Sequence, residues 1–135
     1  MRDNSIKMSR NVISTPNAPA AIGPYSQAIS LDQKMVYTSG QIPLTKDGTL
    51  IKGTIQEQTQ QALTNLGEVL KASGSDFNHV VKTTVFLSDM GLFQEMNQVY
   101  ATFFPENPPA RSTIAAKGLP MGVDVEIEAV ALVKV

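Results

Sequence analysis

This 135-residue sequence contains no cysteine, no tryptophan and a single histidine. Without cysteine, the chain has no disulfide framework, no iron–sulfur cluster and no cysteine nucleophile. One histidine argues against an ordinary zinc site, so we expect no metal centre. An excess of one charge is also lacking, because eleven basic and twelve acidic residues give a net charge of -1 and no basic run occurs. The charge pattern therefore argues against binding to nucleic acid or to an anionic membrane surface.

The sequence also lacks an apolar run long enough to span a membrane or to act as a secretory signal. We therefore expect a soluble, cytoplasmic protein. The length fits a single domain over residues 1–135, too short for a separate cofactor domain. We expect residues 1–10 to form a flexible N-terminal extension, and Met8 is an alternative start to Met1.

Three strands are predicted in the first third of the chain, over residues 10–14, 26–31 and 35–39. The last two flank a short hairpin connection at residues 32–34. A break follows at Gly40, where glycine either permits the close approach of a ligand or simply marks a bend.

The first helix is predicted to begin at Thr54, because Thr54 and Glu57 have the spacing of a capping box. Gly74 is a natural residue to follow its C-terminus. Between them, apolar residues recur at helical spacing over about five turns. These apolar residues are Ile55, Ala62, Leu63, Leu66, Val69 and Leu70.

A central strand is predicted over residues 79–88, which are rich in β-branched side chains. Asp89 is placed to cap a second helix, which Pro105 ends. The default interpretation of the aromatic residues on this helix is that they are core. However, Phe93 and Asn97 are four residues apart and share a helix face, so the alternative is that both border a cleft.

The last two strands are predicted over residues 109–115 and 123–135. Along the final strand one set of alternating side chains is apolar, whereas the other set changes from acidic to apolar. Because two helices can cover only one face of the sheet, we expect another subunit to pack on the second face. The predicted element order is β-β-β-α-β-α-β-β.

The last two strands bring charged residues into apolar surroundings. Arg111 and Thr113 share one strand face, as do Glu126 and Glu128 on the next strand. If the two strands are neighbours, Arg111 and Glu126 can flank a small pocket for an anionic substrate that undergoes proton transfer or hydrolysis. The alternative is a cross-strand ion pair that only fixes strand register.

Five short motifs occur in order along the chain, at residues 18–27, 39–43, 81–87, 109–112 and 125–129. Together they resemble the RidA/YjgF family of reactive-intermediate deaminases, from about Ser14 to the C-terminus. The resemblance implies an α+β, chorismate-mutase-like fold with a mixed sheet and two helices on one face. It also implies a homotrimer with a barrel-like centre and ligand clefts between subunits.

The family resemblance implies a reaction and a set of site residues. The expected reaction is hydrolysis of enamine/imine intermediates such as 2-aminoacrylate and 2-aminocrotonate, released by pyridoxal-phosphate enzymes, to 2-oxo acids and ammonia without a cofactor. Arg111 would bind the substrate carboxylate and Glu126 would position the attacking water. The other expected substrate-binding residues are Tyr25, Ser39, Gly40, Phe93, Asn97 and Thr113. At Thr113 many family members have cysteine.

Two further hypotheses follow from the same residues. The first is a regulatory module that senses small carboxylates without turnover, although Glu126 favours catalysis because binding needs only Arg111. The second is an endoribonuclease or translation inhibitor, an activity associated with some family members. The near-neutral charge and the lone histidine argue against the second hypothesis.

Overall fold

The computed structural model describes residues 9–135. Most of the extension predicted over residues 1–10, including both candidate start residues, lies outside the described part, and Arg10 begins the first strand. The predicted element order is confirmed. The elements are β1 (Arg10–Ile13), β2 (Ala28–Leu31), β3 (Met35–Thr38), α1 (Ile55–Ala72), β4 (Val80–Leu87), α2 (Phe93–Phe103), β5 (Ala110–Ala115) and β6 (Val125–Leu132).

The strands form one mixed sheet in the order β1-β2-β3-β6-β4-β5. All neighbouring pairs are antiparallel except β4 and β5, which run parallel. Strand β4, predicted to be central, is an interior strand, because it pairs with β6 on one side and with the edge strand β5 on the other. Its position separates the two strands that carry the charged candidate residues.

The β2–β3 hairpin turns at Asp32 and Gln33, which both have positive φ angles of 52° and 54°. Two successive positive φ angles match the twist of a tight hairpin. Strands β2 and β3 are both shorter than predicted. Just before β2, the side chain of Gln27 bonds to the preceding loop. There the Gln27 side chain accepts from the Thr15 backbone N–H (2.7 Å) and donates to the carbonyl of Pro19 (2.8 Å). These bonds fix the loop over residues 15–27, which later forms one wall of the candidate site.

Helix α1 begins and ends where the sequence predicts. The Thr54 side chain accepts from the backbone N–H of Glu57 at 3.2 Å, as expected for a capping box. At the other end Gly74 has a φ of 79°, a conformation that glycine adopts without steric cost.

Helix α2 begins at Phe93 and not directly after Asp89, its predicted cap. Asp89 accepts from the backbone N–H of Gly91 (2.6 Å) and so caps a 3₁₀ turn over Met90–Leu92, and α2 follows at Phe93. Met96 and Tyr100 are the buried residues of α2 itself. The helix ends at Phe103, two residues before Pro105, which cannot continue it.

Both helices cover the same face of the sheet. Alternate residues of β4 and β6 point into this core, and Val85, Leu87, Val125 and Ile127 are fully buried there. Neither α1 nor α2 packs on the opposite face, which we call the open face, and Val12 and Tyr37 there are 61% and 46% exposed. The middle row of the open face runs through Val12, Ile29, Tyr37 and Val130, which follow one another across four strands. Within the described residues, no helix is both long and apolar enough to cross a membrane.

Candidate functional site

Arg111 and Glu126 lie on opposite faces of the sheet. Arg111 pairs with Thr83 of β4, whose buried side chain faces the helices. Glu126 pairs with Phe86 of β4, three residues further along, and side chains three apart on a strand face opposite sides. In addition, β4 lies between β5 and β6, so the condition that the strands of Arg111 and Glu126 be neighbours is not met. An ion pair between the two residues does not form within residues 9–135.

Glu126 borders a cleft of about 440 Å³, which we call the Glu126 cleft. Tyr25, Ser39 and Gly40, all expected site residues, line the same cleft. The remaining walls are mainly apolar and include Met121 from the β5–β6 connection. The structure thus brings together four of the eight expected residues, from three separate segments of the chain.

The carboxylate of Glu126 lies directly against the backbone at Gly40. A Cβ atom placed on Gly40 would lie 2.7 Å from Glu126 Cδ and 2.8 Å from Cγ, well inside normal carbon contact distances. Glycine is therefore required for this close approach. The neighbouring Gln41 holds the segment in place, because it exchanges two backbone hydrogen bonds with Ile127 (2.8 and 3.0 Å).

The surroundings of Glu126 favour its protonated form. Partial burial raises the pKa of Glu126 above its ordinary value of 4.5, and the negative charge of Glu128 raises it further. A carboxylate with a raised pKa is a stronger base once ionised. Glu126 is thus suited to accept a proton from water.

Ser39 and Tyr25 occupy the cleft in different ways. The Ser39 hydroxyl donates to the backbone carbonyl of Ser26, so its proton is already used in holding two segments together. Tyr25 is 53% exposed and projects its ring from the loop over residues 15–27. Ser39 therefore supports the wall of the cleft, whereas Tyr25 is available to contact a ligand.

Arg111 borders a second cleft, also of about 440 Å³, together with Asn97 and Tyr100 of α2; we call this the Arg111 cleft. The guanidinium carbon lies 4.6 Å from the centre of the Tyr100 ring and 5.3 Å from that of Phe93. These distances are those of cation–π contacts. Arg111 forms no salt bridge with any carboxylate of residues 9–135. In this cleft the Arg111 guanidinium is therefore held by two aromatic rings and has no carboxylate partner among residues 9–135.

Two buried oxygen atoms beside Arg111 have no hydrogen-bond partner among the described residues: Asn97 Oδ1 and Thr113 Oγ1. Asn97 lies between Phe93 and Tyr100 on one face of α2. Thr113 shares the helix-facing side of β5 with Arg111, because it pairs with Val85. Most buried polar atoms in proteins are hydrogen-bonded, so both oxygens retain the capacity for a further hydrogen bond close to Arg111.

Tyr100 was assigned from the sequence only to the core, and its place in the site was missed. Its spacing of seven residues from Phe93 was the available signal, since residues at i and i+7 share a helix face. His79 lines neither cleft; its Nδ1 atom is 2.6 Å from Asp76 Oδ1 at the partly buried 3₁₀ turn over Phe77–His79.

Comparison with known proteins places these observations in a family. Residues 15–133 match the sequence model of the family described as endoribonuclease L-PSP. The chain is 53% identical over 124 residues to the 2-iminobutanoate/2-iminopropanoate deaminase of Mus musculus, covering 91% of each chain.

Solved structures share the fold. Yeast Mmf1 superimposes with a TM-score of 0.90 at 41% identity, over 93% of this chain and all of that one. E. coli TdcF, in a crystal structure with bound serine, gives 0.87 at 38% identity over 92% of this chain and 99% of TdcF. The chain therefore belongs to the endoribonuclease L-PSP family, also known as the RidA/YjgF family.

Proposed function

We propose that this protein is a 2-iminobutanoate/2-iminopropanoate deaminase that hydrolyses 2-aminoacrylate and 2-aminocrotonate, through their imines, to 2-oxo acids and ammonia. The proposal follows the function of relatives about half identical to this chain. The observation that carries it is the Arg111 guanidinium, held on two aromatic rings and free of any acidic partner among the described residues. Such a group fits a small carboxylate.

A complete site requires a second copy of the chain. Arg111 and Glu126 face opposite sides of the sheet, so one small substrate cannot meet both within a single chain. The open face, with Val12, Ile29 and Tyr37 in one row, supplies an apolar surface for association. We therefore assign a homotrimer in which Arg111 of one copy meets the Glu126 cleft of the next.

In the proposed reaction Arg111 binds the carboxylate of the imino acid and neutralises its charge. Glu126, as a carboxylate, takes a proton from a water molecule while the water oxygen attacks the imine carbon. Protonated Glu126 then donates this proton to the imine nitrogen, giving a neutral tetrahedral carbinolamine. Glu126 next takes the proton of the new hydroxyl group and passes it to the amino group, while the C=O bond forms and the C–N bond breaks, so that ammonia leaves the 2-oxo acid. Water is the only co-reactant, and no oxidant or reductant is consumed.

The remaining expected residues take supporting roles in this proposal. Gly40 and Tyr25 line the side of the cleft that holds the water, and Ser39 fixes that wall. Phe93, Asn97 and Thr113 surround the carboxylate end. The serine bound in the crystal structure of TdcF is a small amino acid whose size and carboxylate agree with such a site. We further propose that the protein acts in the cytoplasm, in control of metabolite damage.

A coupled assay with a pyridoxal-phosphate dehydratase tests the function, since the dehydratase releases 2-aminoacrylate from serine and 2-aminocrotonate from threonine. The wild-type protein should accelerate ammonia release beyond the rate in buffer. Arg111→Ala should lose about a hundredfold in kcat/KM, because it removes a charged, bidentate contact. Lys46→Ala, which removes an exposed cation from a turn, is the matched control and should behave as wild type.

Two results would contradict the proposal. If the wild type and Arg111→Ala give the same rates, Arg111 does not bind the substrate. If the protein binds 2-oxobutanoate saturably but accelerates neither substrate, the sensing module is the better description.

A further inference from the structure

The ring of Tyr100, on which the Arg111 guanidinium lies, belongs to a cluster of three side chains: Thr83, Tyr100 and Arg111. Tyr100 is 5% exposed, and its hydroxyl group is 2.7 Å from Thr83 Oγ1, which is fully buried. Thr83 is in turn the register partner of Arg111 across β4 and β5. The cluster therefore joins α2, β4 and β5 at the point where Arg111 leaves the sheet.

The Arg111 guanidinium keeps N–H groups for a ligand, because it forms no salt bridge within residues 9–135. A guanidinium that stacks on an aromatic ring uses its flat face, whereas a carboxylate binds to its N–H edge. Both contacts can therefore exist at the same time. Holding a long side chain in place before the ligand arrives also lowers the entropy lost on binding.

We propose that Tyr100 is a positioning residue for Arg111: its ring, fixed by Thr83, holds the guanidinium ready for the substrate carboxylate. This inference rests on the proposed function and assigns Tyr100 to substrate affinity, not to proton transfer. The hydroxyl group is engaged by Thr83. Burial raises the pKa of Tyr100, although the Thr83 hydrogen bond, and then the charge of Arg111 and its hydrogen bond to Tyr100, partly offset this effect. Tyr100 thus stays protonated near neutral pH.

Three variants separate the ring from its hydroxyl group and from general packing. Tyr100→Phe keeps the ring, and Tyr100→Leu removes it. Phe103→Leu is the matched control, because Phe103 is on the same helix but packs on Phe77, at a ring-centre distance of 5.3 Å. Each variant is compared with wild type in 2-oxobutanoate binding by calorimetry, in kcat and KM, and in ¹⁵N relaxation of the Arg111 Nε–H group.

Tyr100→Leu should bind 2-oxobutanoate about tenfold more weakly and raise KM by a similar factor, as expected for loss of a desolvated cation–π contact. Its kcat should stay within about threefold, because the carboxylate contact is made in both the ground state and the transition state. Arg111 Nε–H should become more mobile. Phe103→Leu should leave all three measurements close to wild type. Tyr100→Phe, which keeps the ring but loses the hydrogen bond to Thr83, should show a smaller loss of binding and a smaller gain in Arg111 mobility than Tyr100→Leu.

Unchanged binding and unchanged Arg111 mobility in Tyr100→Leu would overturn the inference. If Tyr100→Leu does not fold, Thr83→Val replaces it, since this change keeps the size of the side chain but removes the hydrogen bond that fixes the Tyr100 ring; unchanged binding and unchanged Arg111 mobility there would also overturn the inference. The relaxation measurement does not depend on turnover. Suppose that the wild type neither binds nor hydrolyses its substrates, but Arg111 is rigid in the wild type and mobile in Tyr100→Leu. This result would reject the proposed function and would still support Tyr100 as the residue that positions Arg111.

Discussion

Substitution of Gly40 by alanine tests whether the position of the Glu126 carboxylate matters for catalysis. The new Cβ would lie 2.7 Å from Glu126 Cδ, whereas carbon atoms normally approach to about 3.5–4.0 Å. The glutamate side chain must therefore move by roughly 1 Å, and it is free to do so because it is only partly buried. The backbone conformation is no obstacle, since Gly40 does not have a positive φ.

Displacement of a catalytic group by about 1 Å can cost about a hundredfold in rate. We therefore expect Gly40→Ala to lower kcat/KM for 2-aminocrotonate by about that factor, with an unchanged circular dichroism spectrum. The coupled dehydratase assay measures the rate. Gly118→Ala is the matched control, because its added Cβ meets no atom within 4 Å and should leave the rate unchanged.

A double substitution identifies the cause of the loss. In a Glu126→Asp background, which keeps a carboxylate but shortens the side chain that meets Gly40, Gly40→Ala should cost little more than Glu126→Asp alone. A Gly40→Ala protein that keeps activity within about threefold of wild type would refute the placement of Glu126 in the reaction. Fully additive losses would show that Gly40 acts by another route.

Two further predictions concern protonation and the unpartnered hydroxyl group. The pKa of Glu126 is higher in the folded state than in the unfolded state. Between pH 4.5 and this raised pKa the folded state therefore binds more protons than the unfolded state. The free energy of unfolding falls as the pH rises through this range, so that ionised Glu126 destabilises the fold at higher pH. Glu126→Gln should therefore raise Tm at pH 7, with a smaller gain near pH 4, and abolish turnover; an unchanged or lower Tm at pH 7 contradicts the pKa direction. Thr113→Val should lower kcat/KM about tenfold without lowering Tm, because Thr113 Oγ1 has no partner to lose among the described residues of the free chain. Thr59→Val, which removes another unpartnered buried hydroxyl group, should change neither quantity, and equal activity losses in both variants would count against a ligand contact at Thr113.

Local patterns were sufficient to predict much of the fold. The ends of α1 follow from Thr54, Glu57 and Gly74, whose effects act within a few residues of the chain. The alternation of buried and partly exposed residues along β6 was equally readable, because side chains on a strand change sides at every residue. Such features do not depend on which elements meet in three dimensions.

The relation between Arg111 and Glu126 could not be predicted in the same way. It depends on the insertion of β4 between β5 and β6, a pairing set by long-range packing. Likewise, Asp89 is a cap, as predicted, but it caps a 3₁₀ turn over Met90–Leu92 and not α2 itself, which begins at Phe93. The capping spacing is the same for both kinds of helix, so the sequence could not distinguish them. Motif resemblance named the expected site residues, whereas only the fold shows that Glu126 and Arg111 border two separate clefts.

The most direct test of the shared site is complementation between two inactive variants. Arg111→Ala and Glu126→Gln each remove one half of the proposed site, so each alone should show only background turnover of 2-aminocrotonate. Unfolded together at equal amounts and refolded, they should regain roughly a quarter of wild-type activity, since each site draws its arginine and its glutamate from different copies at random. Activity that stays at background in the mixture, with mixed oligomers confirmed by mass spectrometry, would contradict a site built from Arg111 of one copy and Glu126 of another.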